Sequence, residues 1–343
     1  MEVPQVVWWS FFLVAIYEVI HVGLFAASFD LPSYVGYVSF LFLMLFIGGS
    51  YDSRSDEANN ALSFCIGSVV MLTIILLNFN QLAGEDFLEG SVRMGNVGNY
   101  LGEETMTLRT NPNNIGLYSI AAISIAFVLW FYKKIPVWLL VLVAILAFIG
   151  GVYSLSRTWM LTIALFTVLF FSMRRRGQRV SSIFILLLAV FGVFYFFTRM
   201  NVSVLDAFDT RFEGDSTAGL RTTLFLSYHE WMMSNPWAIL FGTGAIPYKE
   251  VTQLANSTHN AIQQIFVAYG FPGLLFFACL LYNCIKRWRV SGERMVYVPI
   301  IVVGVFLQSL QFLNPTYCAY PLIATFYILK MIKKDKTMIS GIV

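Results

Sequence analysis

Apolar residues in this chain come in blocks of roughly membrane-spanning length, repeated from one end to the other. The hydrocarbon core of a bilayer is about 30 Å thick, which about 20 residues of helix can cross. No water inside it can pair with N–H and C=O groups, so each block must satisfy its own backbone as a helix. Composition agrees: of 343 residues, 58% are hydrophobic and 12% are charged, against about 25% charged in a soluble domain. With a mean hydropathy of +0.72, the chain is not a soluble enzyme, a disordered chain or a nucleic-acid binder. It reads as an all-α polytopic membrane protein whose first partner is the lipid bilayer.

Ten spans are predicted, at 5–27, 33–50, 61–80, 114–132, 135–153, 157–173, 181–198, 261–285, 296–313 and 318–332. With no internal repeat and no low-complexity linker, residues 1–343 are taken as a single integral membrane domain. The first block lacks the basic n-region and small-residue cleavage site of a signal peptide, and is read as a retained span. Lysine and arginine gather on the cytoplasmic side of membrane proteins. With the N-terminus inside, fifteen basic residues fall inside: Arg54, Lys133, Lys134, Arg174, Arg175, Arg176, Arg179, Lys286, Arg287, Arg289, Arg294, Lys330, Lys333, Lys334 and Lys336. Seven fall outside: Arg93, Arg109, Arg157, Arg199, Arg211, Arg221 and Lys249. This bias predicts that both termini are inside. Two outer connections, 81–113 and 199–260, are long, as functional loops often are.

Four cysteines without a C-x-x-C pair or a Cys/His cluster give neither a disulfide framework nor a zinc site. Spans four, six and eight start at the outer face, where each helix end offers unpaired N–H groups and a partial positive charge. Beside those ends lie Arg109-Thr110-Asn111-Pro112-Asn113, Ser154-Leu155-Ser156-Arg157 and Ser257-Thr258-His259-Asn260. Taken singly, each reads more readily as a cap or as an anchor whose cation meets lipid phosphates. Three at one face suit the binding of a diphosphate.

The 199–260 loop holds a further candidate. Asp215-Ser216-Thr217 can cap a helix over about 218–234, with Leu220, Leu224, Tyr228 and Trp231 at helical spacing. Such a helix would lie in the interface and present Arg221, with Arg211 just before it. Asn235-Pro236 ends it, and Gly242-Thr243-Gly244 makes a turn where backbone can approach a ligand, or one that is simply flexible. Glu18 and His21 are an ionisable pair on one helical face inside the first span. A polar latch to another helix is the favoured reading over a functional site. No H-E-x-x-H, G-x-S-x-G or P-loop occurs, so metalloprotease, serine hydrolase and nucleotide chemistry have no sequence support.

Four stretches, in order, resemble the O-antigen polymerase and O-antigen ligase family of bacterial envelope glycan enzymes. They are Asn111-Pro112-Asn113; Ser154-Leu155-Ser156-Arg157-Thr158; Arg221 with Trp231 and Asn235-Pro236-Trp237 to Phe241-Gly242-x-Gly244; and His259-Asn260-x-x-x-Gln264 with Gly270-Phe271-Pro272-Gly273. The resemblance implies a GT-C-like membrane glycosyltransferase in the bacterial cytoplasmic (inner) membrane, multi-pass, with its active site on the outer face. The family's functional arginines and histidine match Arg157, Arg221 and His259, the catalytic candidates here. Arg109, Arg211, Asn113, Asn260 and Tyr248 are the candidates for binding diphosphate or glycan.

The implied substrate is a glycan linked to undecaprenyl diphosphate, and a chain-length regulator protein is a further candidate partner. Two arginines can grip a diphosphate bidentately, and His259, with an ordinary pKa of about 6.5, can act as a base. Neither a metal nor a cofactor is expected. The small size and compact outer loop favour a polymerase; a ligase acting on lipid A core is the alternative. A transporter of the lipid-linked glycan is the reading least favoured, because transporters place charge near the midplane between repeats.

Overall fold

A computed structural model describes residues 5–25, 31–49, 56–82, 112–172, 217–254, 258, 260–290, 294–308, 310 and 320–331. Among these residues every regular element is a helix. They are α1 Gln5–Phe25, α2 Leu31–Gly49, α3 Glu57–Leu82, α4 Pro112–Phe131, α5 Val137–Tyr153, α6 Arg157–Ser172, α7 Thr217–Ser234, α8 Pro236–Phe241, α9 Tyr248–Thr252 and α10 Ala261–Val290. A 3-10 turn at Arg294–Tyr297 leads into α11 Val298–Leu307, and α12 covers 320–331.

The predicted spans fall on these helices, except 181–198, which lies outside the described residues. Three helical segments are long and apolar enough to cross a bilayer: Glu57–Leu77, Asn113–Phe131 and Ala261–Cys279. The apolar helices Phe11–Phe25, Val137–Tyr153, Arg157–Ser172 and Arg294–Leu307 are shorter. The surface fits a lipid solvent. In α1, Trp9, Leu13, Ile16, Ile20 and Leu24 are exposed along the helix, and in α3 so are Ile66, Val70, Ile74 and Leu77. Apolar stripes of this kind on an outer surface mark a membrane.

The chain divides into two compact units. One comprises Met1–Ser55, Ser216–Glu293 and Leu307–Phe326; the other comprises Asp56–Asp215, Arg294–Phe306 and Tyr327–Val343. The second is built round α4, whose apolar window is 83% buried, against 39% for that of α3. Small residues let its neighbours in closely, as membrane helices require. Gly150 of α5 lies against Leu72 of α3 and Ser119 of α4, where a Cβ would come within 3.1 Å of the leucine. The α4–α5 connection is a tight C-terminal cap: Lys133 takes the left-handed conformation (φ 57°) and Lys134 N–H donates to Leu129 C=O at 2.9 Å.

The first unit contains a break that apolar periodicity does not predict. Within α10, Gly270 leaves the helical region (φ 61°, ψ −154°), with Pro272 just beyond. Pro272 has no N–H to give to the carbonyl of Ala268, and the turn at Gly270 disrupts the same ladder. Donors from elsewhere fill the gap: Thr243 N–H reaches Val267 C=O at 2.9 Å and Gly244 N–H reaches Ala268 C=O at 2.8 Å. The predicted single span 261–285 is therefore a helix in two parts, braced by a loop.

Candidate functional site

Arg157 opens α6 at a corner whose geometry is unusual. Ser154 N–H donates to Gly150 C=O, and Leu155 then adopts φ 44° while buried, 2% exposed. A left-handed conformation costs a non-glycine residue roughly 1–2 kcal/mol, and strain that persists in this way is commonly found at functional sites. Ser156 follows. Its Oγ accepts Trp159 N–H at 3.4 Å, the capping position of α6, and donates to Asn113 Oδ1 at 3.2 Å. That second bond ties the start of α6 to the first turn of α4.

Two helix starts therefore meet beside Arg157, which is half-buried. The positive dipole ends of the two helices favour an anion there. Glycine makes the approach feasible. At Gly151 a Cβ would fall 2.0 Å from the Trp159 indole, and at Gly116 one would fall 3.0 Å from Phe306 and 3.4 Å from Ser154 Oγ. Asn114, next to Asn113, is also buried, and its Nδ2 has no hydrogen-bond partner among the described residues. A buried amide donor at such a junction suits an anionic oxygen.

The other unit holds Arg221, near the start of α7. The helix runs over Thr217–Ser234, close to the expected 218–234, and Asn235-Pro236 breaks it before α8 as expected. At the start of α10, Asn260 is a cap: its Oδ1 accepts Gln263 N–H at 2.9 Å. Gln263 Nε2 in turn donates to the carbonyl of Phe225 at 2.8 Å. Phe225 follows Arg221 by one helical turn, so the Arg221 turn of α7 is bridged to the first turn of α10, immediately after His259. Arg109, Arg211 and His259 lie outside the described residues.

Tyr248 opens α9 and is buried with Tyr228, Met232, Ala238 and Val267. Burial foremost, and then Tyr248, hold the Tyr228 hydroxyl above its usual range, against the lowering effect of a hydrogen bond with Thr252. Tyr228 therefore keeps its proton and is not a base. Of the sequence candidates, the structure joins Asn113 to the Arg157 corner, and the Arg221 helix to the Asn260 cap. Arg157 belongs to one unit and Arg221 to the other.

One reading from the sequence is corrected and another is extended. The Gly242-Thr243-Gly244 turn does not hang loose: a Cβ at Gly242 (φ 71°) would come within 2.3 Å of Ala268 O, so the turn lies on the backbone of α10. Glu18 is a latch, but to this loop and not only to another helix. Ala245 N–H donates to its Oε1 and Oε2 at 3.0 and 3.1 Å. Beside it, the His21 ring stacks on Tyr17 at 4.0 Å, with Nδ1 2.9 Å from Tyr17 O.

Sequence reasoning missed Gln263, Asn114, and the pair Tyr37 and Tyr269, whose hydroxyls are hydrogen-bonded. Only the placing of Gln263 one turn after His259 carried any signal.

An all-helical membrane protein with capped, cation-bearing helix starts is the class that fold and site define. Residues 142–278 match the sequence model of the O-antigen ligase family. This match, over less than half of the chain, supports a likeness to the O-antigen polymerase and ligase family, whose members are membrane glycosyltransferase-like enzymes. The matched stretch contains Arg157, Arg211, Arg221, Tyr248, His259 and Asn260, and excludes Arg109 and Asn113. No curated protein and no solved structure matches the chain.

Proposed function

We propose that the chain is a polysaccharide polymerase of the O-antigen or capsule type. It transfers glycan from undecaprenyl diphosphate to the non-reducing end of a second lipid-linked repeat unit, at the outer face of the cytoplasmic membrane. The observation that carries this reading is the Arg157 corner, where the start of α6, inside the stretch matching the O-antigen ligase family, is tied to the first turn of α4. Its GT-C-like architecture, its ten spans and the inside position of both termini belong to the same proposal.

The chemistry follows from charge. The donor carries a leaving group that is already good, so the protein's task is to hold the departing diphosphate and take one proton. The acceptor hydroxyl oxygen attacks the anomeric carbon, and the bond from that carbon to the diphosphate oxygen breaks. Its electron pair leaves on the diphosphate; Arg157 and Arg221 are the residues assigned to neutralise it, and Asn113 and Arg109 to bind diphosphate or glycan. Arginine is the suited cation because its planar fork meets two phosphate oxygens together. His259 accepts the hydroxyl proton, and Arg211, Asn260 and Tyr248 are further residues assigned to binding diphosphate or glycan. Direct attack inverts the anomeric centre.

Ligation to lipid A core is the second reading, favoured by the match to the O-antigen ligase family. Both use one donor and differ in acceptor. Purified protein incubated with a defined undecaprenyl-diphosphate oligosaccharide should give a ladder of longer lipid-linked glycans. Transfer only when lipid A core is added would indicate the ligase, and no transfer under either condition would reject both.

A further inference from the structure

Glu18 has no part in the chemistry above, yet it is the most completely enclosed carboxylate among the described residues, at 0% exposure in an apolar helix. A carboxylate so placed must be met by donors, or its desolvation is far too costly. The donors are present. Ala245 N–H points at both oxygens, and Ile246 N–H and the Tyr269 hydroxyl complete the set. Tyr37 is hydrogen-bonded to the same Tyr269 hydroxyl. With Tyr269 donating to the carboxylate, Tyr37 donates to Tyr269. Helix α10 and one loop thus converge on a single acceptor in α1, and α2 joins them through the bond of Tyr37 to Tyr269.

That loop works in two directions. Toward α1 it presents Gly244 in a left-handed conformation (φ 82°), where a Cβ would stand 2.8 Å from His21 Cβ and 3.3 Å from Glu18 Oε2. Toward α10 it supplies the N–H groups of Thr243 and Gly244 to Val267 and Ala268. The Thr243 hydroxyl adds a third bond, to Val267 O at 3.1 Å. These carbonyls are the ones left bare by the break at Gly270 and Pro272. Without the loop, the break in α10 would leave bare carbonyls in an apolar setting. Without the carboxylate, two amides of the loop would have no acceptor on the α1 side.

We propose that Glu18 is a positioning residue for transfer: its carboxylate pins the 242–246 loop onto the break in α10, and thereby fixes the segment of α10 that begins just after His259. The role rests on the glycan-transfer reading above, whereas the clamp itself does not. In the free protein the clamp holds the 242–246 amides closed. During turnover it keeps the first turn of α10 in register with the bridge from Gln263 to Phe225.

The full chain, purified in lipid nanodiscs, tests this with Glu18→Gln and the milder Tyr269→Phe. The amide of glutamine turns N–H toward N–H at the loop, whereas Tyr269→Phe removes one donor and leaves the carboxylate. Hydrogen exchange of peptides covering 243–247 should quicken about tenfold in Glu18→Gln, the scale of one lost hydrogen bond to a charged group. Peptides from α4 and α5 should exchange at the unaltered rate. In the oligosaccharide assay, kcat should fall by about the same factor, with KM for the lipid-linked donor unchanged; Tyr269→Phe should do both to a smaller degree. Unaltered exchange at 243–247, or a uniform rise through all peptides, would overturn the clamp. Faster local exchange with unaltered kcat would overturn the positioning role. If Glu18→Gln does not fold, Tyr269→Phe decides by the same two readouts. If the unaltered protein transfers no glycan, the transfer reading fails, and exchange alone still decides the clamp.

Discussion

Replacing Gly242 by alanine probes the bracing of α10 most sharply. The residue sits at φ 71°, where an added Cβ would lie 2.3 Å from Ala268 O and 2.5 Å from Tyr269 N. Both are backbone atoms, so no side chain can rotate aside. The left-handed conformation alone costs alanine roughly 1–2 kcal/mol. To relieve the overlap the loop must withdraw, which breaks the bonds from Thr243 and Gly244 at 2.9 and 2.8 Å. Each carbonyl left unpaired in an apolar setting adds roughly 1–3 kcal/mol. The sum is roughly 3–8 kcal/mol, comparable with the stability of a whole domain. The loop should therefore detach before the bundle melts. Gly67→Ala is the control: it lies within α3 with nothing within 4 Å of its would-be Cβ, and alanine there should be neutral or slightly stabilising. Thermal denaturation followed by tryptophan fluorescence, with limited proteolysis in the 242–246 stretch, reads both effects. A Gly242→Ala protein with the unaltered midpoint and unaltered resistance to cleavage would refute the bracing.

Three further outcomes are expected. Ser156→Ala removes the cap of α6 and its tie to Asn113, so stability should fall by about 1 kcal/mol and product formation should drop further than Ser156→Thr, which keeps a hydroxyl; equal rates in the two would argue against the tie. Arg157→Ala should abolish product from protein that remains folded and monodisperse, and Arg157→Lys should restore little, since an ammonium is a point charge and not a fork; polymer at unaltered levels from the alanine variant would remove Arg157 from the site. The rate should fall as pH drops through about 6.5, because protonation removes the imidazole base; a flat profile from pH 5 to 8 would exclude His259 from that role.

Much of the helical layout was legible because a bilayer leaves the backbone few options. Lengths and apolar content alone place α3, α4 and α10 within a few residues, and the capping residues Ser156 and Asn260 mark the starts of α6 and α10 correctly. Asn111-Pro112 and Asn235-Pro236 also mark real boundaries, at Pro112 and Pro236. What escaped is contact between distant segments. Nothing local in Gly242-x-Gly244 distinguishes a flexible turn from one lying on another helix, since glycine serves both. Tyr269 and Glu18 are far apart in the chain, and no spacing rule links them. Gln263 reads as one more polar residue at a helix start until its amide is seen to reach Phe225.

The sequence by itself determined that helices of this chain are apolar enough for a membrane, roughly where they start, and that Arg157 stands at the start of α6. Hydrophobic length and capping chemistry are local properties, read within a few turns of each residue. Only the tertiary structure decided that the starts of α4 and α6 share a bond, that α10 is broken and braced, and that Glu18 holds the brace. Each of these depends on which donor finds which acceptor once the helices have packed, because a carbonyl bared in an apolar setting takes the nearest N–H the fold supplies.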